Sequence, residues 1–265
     1  MWPKEDFSWF INYTLRYRRI AEHNHASSSL NKIEIHLTYK CNCSCSNCLT
    51  LTSQAPSSDI ISLGDIRRFI AESIELDWKW QKIALHGGEP TLHPQCMEII
   101  ELFAEYRNKY NQNLSMTLCT NGISSATKTL IRIARIKRYN IEIGPKNLKT
   151  MQSNSPYVPV NIAPVDVGHK STLGCYMTNE CGIALNSSGY FECSSAAAAS
   201  RVFKWGPITR SLKEMNIFRV VDAYHRHCKY CGFSAPDLER TTIQEISKTW
   251  RTVLDRYNKG RTSTL

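Results

Sequence analysis

Cys41-Asn42-Cys43-Ser44-Cys45-Ser46-Asn47-Cys48 follows directly on the strand-like run Lys32–Thr38, and its thiols Cys41, Cys45 and Cys48 stand in the spacing C-x3-C-x2-C. Three thiolates this close suit three irons of a four-iron cubane and leave the fourth iron open to a ligand, whereas a cluster with four protein ligands mostly moves electrons. Zinc asks instead for four closed ligands, usually as two C-x2-C-type pairs. Cys45 with Cys48 and Cys228 with Cys231 would supply them, but Cys41 would then be idle.

Downstream, Lys82-Ile83-Ala84-Leu85-His86-Gly87-Gly88-Glu89-Pro90 reads as a strand, a tight glycine turn and an acid. Adjacent glycines let backbone groups approach a ligand without a Cβ in the way, and an acid there accepts hydrogen bonds from an ammonium group. Leu114–Thr120 is a further strand, closed by Asn121-Gly122. In this order the three features resemble the radical S-adenosylmethionine (SAM) superfamily over the first two thirds of the chain. The resemblance implies a SAM-binding 4Fe-4S cluster on Cys41, Cys45 and Cys48. It also implies a SAM site at Gly87, Gly88, Glu89 and Pro90, with Thr120 and Asn121 near the ligand. Asn47 departs from the pattern, because an aromatic residue commonly precedes the third cysteine. Cys43 reads as a spectator thiol.

The 265 residues suffice for one compact domain with an appendage. No apolar run reaches the length of a membrane span, and the acidic start Met1-Trp2-Pro3-Lys4-Glu5-Asp6 is unlike a secretory signal. Eleven cysteines without an export signal point to metal or redox use and a reducing cytoplasmic setting rather than a disulfide framework. A formal net charge of +10 favours anionic partners, such as nucleotide-linked small molecules or an acidic electron donor of the flavodoxin or ferredoxin kind. No Lys/Arg block interleaved with aromatics stands out, which disfavours nucleic acid.

Residues 1–30 are aromatic and basic, and Phe10, Tyr13, Tyr17 and Ile20 recur at helical spacing, so one amphipathic helix is expected there. Strands are then expected at Lys32–Thr38, Lys82–His86, Leu114–Thr120, Asn140–Gly144 and Val158–Ala163, and helices at Leu63–Leu76, Gln95–Tyr110 and Ser124–Ile136. Ser62-x-x-Asp65 gives the first helix a capping-box start. Met97, Ile100, Phe103 and Ala104 form the apolar face of the second. This alternation predicts an α/β fold, a partial (β/α)5-6 TIM-like barrel over residues 31–168, with chemistry at the C-terminal ends of the strands. Lys146 reads either as a contact to a carboxylate or phosphate or as a solvated lysine. Ile162 reads either as an adenine contact or as core.

The texture changes past residue 165. Gly182–Cys193 reads as a β-hairpin ending in a cysteine, and Cys175, Cys193, Cys228 and Cys231 resemble the ligands of the auxiliary-cluster modules of radical SAM enzymes. No cysteine follows Cys231, so the shorter "twitch" module is implied over residues 169–240, with a second, auxiliary 4Fe-4S cluster. Cys181 is the alternative to Cys175, and Gly189 and Cys193 are one residue closer than the related SPASM motif has them. Zinc is the bland reading of this set. A C-terminal helix, Ile243–Tyr257, within residues 241–265, puts Ile246, Trp250, Val253 and Leu254 on one face, followed by a frayed tail from Gly260.

The expected function is reductive cleavage of SAM to a 5′-deoxyadenosyl radical that abstracts hydrogen from a small polar substrate. The cysteine separations C-x17-C and C-x2-C resemble the twitch-containing aminocyclitol dehydrogenases, which implies alcohol oxidation with the second cluster as electron acceptor. His86, Asp166 and His169 are candidate bases. A carbohydrate epimerase is the alternative, with Cys119 or Cys181 as hydrogen donor; Cys119 otherwise reads as a buried strand cysteine. A peptide-modifying maturase and a zinc-stabilised binding module complete the options.

Overall fold

The computed structural model describes residues 30–45, 48–139, 142–145, 176–231 and 247–262. Six strands form one sheet in the order β4-β3-β2-β1-β5-β6. They are β1 Lys32–Thr38, β2 Lys82–Gly87, β3 Ser115–Thr120, β4 Glu142–Pro145, β5 Ile183–Asn186 and β6 Gly189–Phe191. The first five run parallel, and β6 returns antiparallel to β5. The expected N-terminal helix and the strand Val158–Ala163 lie outside the described residues. The helices are α1 Leu63–Glu75, α2 Cys96–Tyr110, α3 Ser125–Ile136, α4 Tyr176–Cys181, α5 Ser194–Phe203, α6 Ile217–His227 and α7 Lys248–Thr262. None of them is long and apolar enough to cross a membrane.

β1 sits inside the sheet, and its alternation shows how the layers are built. Ile33, Ile35 and Leu37 are fully buried against the helix layer, in one core with Ile66 and Phe69 of α1 and Phe103 of α2. Glu34 and His36 take the opposite face, because successive side chains of a strand point to opposite sides. The capping box forms at α1: the Ser62 hydroxyl accepts from Asp65 N at 3.0 Å, and Asp65 accepts from Ser62 N at 3.3 Å. The inner face of α2 is rotated slightly from the expected one. Cys96 and Ile99 are buried beside Ile100, Phe103 and Ala104, and Met97 is half-buried.

The hairpin expected in a separate C-terminal module instead continues the sheet. Ile183, Ala184 and Leu185 pair in parallel with Ile33, Glu34 and Ile35. Ile183, Leu185 and Tyr190 join the helix-side core, together with Val220, Val221 and Tyr224 of α6. Buried Glu72 of α1 ties in the segment that follows, accepting from Ser211 Oγ at 2.9 Å and from Leu212 N at 2.6 Å. Across the sheet, Ala196 and Ala197 of α5 pack on Ala184 and Phe191. The C-terminal helix α7 buries Trp250 and Leu254 against Ala198, Ala199 and Val202 of α5. It stays helical through Gly260 to Thr262, past the expected start of fraying, while Ile246 lies outside the described residues.

Parallel strands need crossover connections, so the close entry of β5 beside β1 must be specified locally. Gly182 does this. Its φ is +75°, and a Cβ there would lie 2.1 Å from Lys32 O. Gly182→Ala is therefore expected to lower stability by roughly 2–4 kcal/mol, through left-handed strain and backbone overlap. Equilibrium urea unfolding measures this, and an unchanged midpoint would show that β5 does not dock as described.

Candidate active site

The cysteine segment leaves the C-terminal end of β1 and passes directly over the Gly87-Gly88 turn that ends β2. Gly88 N donates to Thr38 O at 2.7 Å, and Glu89 N donates to Lys40 O at 2.8 Å. A Cβ at Gly87, where φ is +122°, would lie 2.3 Å from Thr38 O, and one at Gly88 would lie 2.2 Å from Lys40 O. The sequence reading assigned these glycines to ligand approach. Their missing Cβ atoms admit the chain's own backbone on its way into the cysteines, and both glycines also line the cavity beside those cysteines.

Glu89 is fully buried and surrounded by donors. Its Oε1 accepts from Thr91 N at 3.2 Å, from Thr91 Oγ1 at 2.7 Å and from Thr120 Oγ1 at 2.7 Å. Its Oε2 accepts from Asn121 N at 2.8 Å. One carboxylate thus joins the ends of β2 and β3, and it also caps the short turn Pro90–Leu92. Asn121 extends the tie to the cysteine loop, donating from Nδ2 to Asn42 Oδ1 at 2.7 Å and to Cys43 Sγ at 3.4 Å.

Cys41, Cys43, Cys45 and Cys48 line one cavity, whose other wall is made by Thr50, Thr52, His86, Gly87, Gly88 and Asn121. Cys43, read as a spectator, therefore shares the cavity with the three spaced thiols; Asn47 lies outside the described residues. Cys48 Sγ is 3.3 Å from Thr50 Oγ1 and 3.1 Å from Thr52 Oγ1. Burial alone would push this thiol up, but the side-chain and backbone hydrogen bonds of Thr50 and Thr52 outweigh it, and its pKa falls below the ordinary thiol value. The thiolate, the form that ligates metal, is favoured. Three cysteines around one cavity, one of them inclined to ionise, form a donor set that fits a cubane cluster.

Arg201 and the two threonines carry no motif and escaped the sequence reading. The guanidinium lies 3.7 Å over the Tyr39 ring and donates to Thr50 O and Ala55 O, each at 2.8 Å. It thereby pins the trailing arm of the cysteine loop from α5. The partners stand 151 positions apart in the sequence, so no local pattern announces them.

Of the remaining candidates, Cys119 and Cys181 lie near enough for the charge of one to act on the other. Cys119 is half-buried near the C-terminal end of β3, paired with Gly144. Cys181 closes α4 just before β5, at the opposite end of the strands from the cysteine loop. Burial, then the charge and hydrogen bond of Glu34, push its thiol far up. Cys193 caps α5, accepting from Ala196 N at 3.4 Å. Cys228 and Cys231 bracket a single 3-10 turn, with Cys231 N donating to Cys228 O at 3.0 Å. Cys228 packs on the main core, and Cys231 beside Trp250. Between Cys193 and this turn lies the buried contact of Glu192 Oε1 with His227 Nδ1, at 2.6 Å. Cys175, Ile162, Lys146, Asp166 and His169 lie outside the described residues.

Residues 35–147 match the Radical SAM superfamily. Over these residues the chain is similar to that superfamily. The chain is also 28% identical over 119 residues to GTP 3′,8-cyclase of Campylobacter curvus (strain 525.92), covering 43% of this chain. That match spans 35% of the cyclase, about a third of its length. Among solved structures, BtrN in complex with AdoMet and 2-DOIA is similar at a TM-score of 0.45 and 15% identity, over 77% of this chain and 88% of that one. Selenomethionine BtrN in an open conformation is similar at 0.44 and 14%, over 80% and 91%.

Glu89→Gln turns an amide nitrogen toward donors that now meet oxygen. A loss of about 1–3 kcal/mol is expected in equilibrium unfolding, because buried N–H or O–H groups are left unmatched. An unchanged unfolding midpoint would show that the carboxylate does not hold the strand ends together.

Proposed function

We propose that these residues form a radical SAM domain, which holds a 4Fe-4S cluster on Cys41, Cys45 and Cys48 and binds SAM across the cavity, against Gly87, Gly88 and Asn121. The observation that carries this reading is the convergence of the spaced cysteines and the glycine turn on one cavity. When bound, the reduced cluster and SAM supply a 5′-deoxyadenosyl radical able to take hydrogen from an unactivated C–H bond of a substrate. This chain's residues then position and enclose. Thr50 and Thr52 favour thiolate at Cys48, Asn121 bridges loop and strand end, and Glu89 holds the cavity wall in place from behind.

The substrate is a small polar molecule of the sugar or aminocyclitol kind, and the reaction is oxidation of an alcohol. The match to GTP 3′,8-cyclase and the formal charge of +10 favour a substrate that is anionic or nucleotide-linked. Cys175, Cys193, Cys228 and Cys231 would hold a second 4Fe-4S cluster, which would supply an electron acceptor for that oxidation. In support, the Glu192–His227 contact joins the residue before Cys193 to the residue before Cys228. An acidic flavodoxin or ferredoxin supplies the reducing electron in the cytoplasm, and the cleft bearing Arg201, Lys204, Arg210 and Arg256 suits such a donor. The epimerase reading retains Cys119 as hydrogen donor, because that thiol stands at the cysteine-loop end of the sheet. Cys181 stands at the other end.

Anaerobically reconstituted, reduced protein given SAM is expected to release 5′-deoxyadenosine, and Cys41→Ala, Cys45→Ala and Cys48→Ala each to abolish it. Iron and sulfide should total about eight each per chain, falling to about four in the Cys228→Ala/Cys231→Ala variant. No 5′-deoxyadenosine from fully loaded protein would sink the enzyme, and zinc without sulfide would leave a binding module. With substrate, solvent deuterium in the product would favour the epimerase over the dehydrogenase.

A further inference from the structure

Beside the cysteine cavity, the sheet face away from the main helix core carries a second group of donors. Glu34 and His36 alternate with the core residues of β1, and His86 of β2 is the register partner of His36. One ligand atom from each of Glu34, His36 and His86 lies within 4.8 Å of the other two; among the described residues no other trio of His, Cys, Asp or Glu comes so close. Glu34 and His36 are buried on β1 and His86 stands on β2, both interior strands of the sheet and a rigid base.

The hydrogen bonds decide which nitrogen of His36 is basic. The Tyr39 hydroxyl donates to Ala197 O at 3.1 Å, because a carbonyl can only accept. Its oxygen therefore accepts from Asn186 Nδ2 at 3.2 Å and from His36 Nδ1 at 2.8 Å. His36 thus carries its hydrogen on Nδ1 and keeps a lone pair on Nε2, where the Ser194 hydroxyl donates at 2.6 Å. An imidazole whose far N–H is anchored is oriented and made more basic, as metal-ligating histidines are. Glu34 adds a buried carboxylate, which also accepts a hydrogen bond from the Cys181 thiol. A buried carboxylate oxygen facing two imidazoles is a ready ligand atom for a cation.

We propose that Glu34, His36 and His86 bind one divalent transition-metal ion, through a carboxylate oxygen and two imidazole nitrogens. The mixed nitrogen and oxygen set suits zinc(II) or iron(II). Three protein ligands leave a coordination position for an oxygen of a bound molecule, next to the cavity that His86 also lines. Such an ion lies about 2.0–2.2 Å from each donor, so the three side chains draw together slightly as it enters. Ser194 is the competitor: its hydroxyl must leave Nε2 when the ion arrives. The proposal is independent of any radical chemistry.

The test counts zinc on the full chain with its clusters reconstituted, after anaerobic dialysis against zinc(II). Wild type is expected to retain one zinc per chain more than Glu34→Gln/His86→Asn, while zinc held on cysteines is common to both. Ser194→Ala is expected to bind that zinc several-fold more tightly, because it frees Nε2. Equal uptake by wild type and a folded double variant overturns the proposal, as does unchanged or weaker zinc binding in Ser194→Ala. Circular dichroism reports whether the double variant folds, and if it does not, the Ser194→Ala measurement decides alone.

Discussion

The site depends on the backbone crossing between the end of β1 and the glycine turn after β2. Two amide groups, of Gly88 and Glu89, reach the carbonyls of Thr38 and Lys40 only because no Cβ stands between them. That crossing sets the height and direction at which the chain enters the cysteines. The Glu89 carboxylate then fixes the same turn to Thr120 and Asn121, so the ends of β2 and β3 are clamped to one buried group. A buried carboxylate with four donors is stable where a bare one would not be, since each donor replaces hydration lost on burial.

The C-terminal segment is built into this frame rather than hung beside it. β5 extends the sheet from β1, and α5 lies across the sheet so that Arg201 grips the loop that carries the cysteines. α7 then packs on α5, with the Trp250 indole donating to Tyr230 O at 2.7 Å. The end of the cysteine loop, α5, α7 and Cys231 thereby meet at one buried cluster. A change at α5 is felt at Thr50, whose hydroxyl is bonded to Gly87 O and lies beside Cys48.

Much of the first half was legible because its signals are local. β1 matches its expected bounds, the capping box of Ser62 and Asp65 starts α1 where expected, and the glycine turn ends β2. Alternation along Lys32–Thr38 also contained the clue that Glu34 and His36 share a face, though not which residue of another strand meets them there. The pairing of β5 with β1 was not legible, because a hairpin pattern says nothing about which sheet edge it joins. Gly182 was the hint: a glycine immediately before a strand can mark a close backbone approach, but its partner, Lys32, is distant in sequence.

Residue types and short spacings alone determined the cysteine trio, the glycine-acid turn and the strand–helix rhythm, because each depends on neighbours within a few positions. Tertiary structure alone decided that Gly87 and Gly88 admit the chain's own backbone, that the late hairpin lies beside β1, and that Tyr39 selects the tautomer of His36. The physical reason is common to all three. Steric exclusion, sheet pairing and proton placement depend on which distant groups come into contact, and a linear pattern does not record contacts.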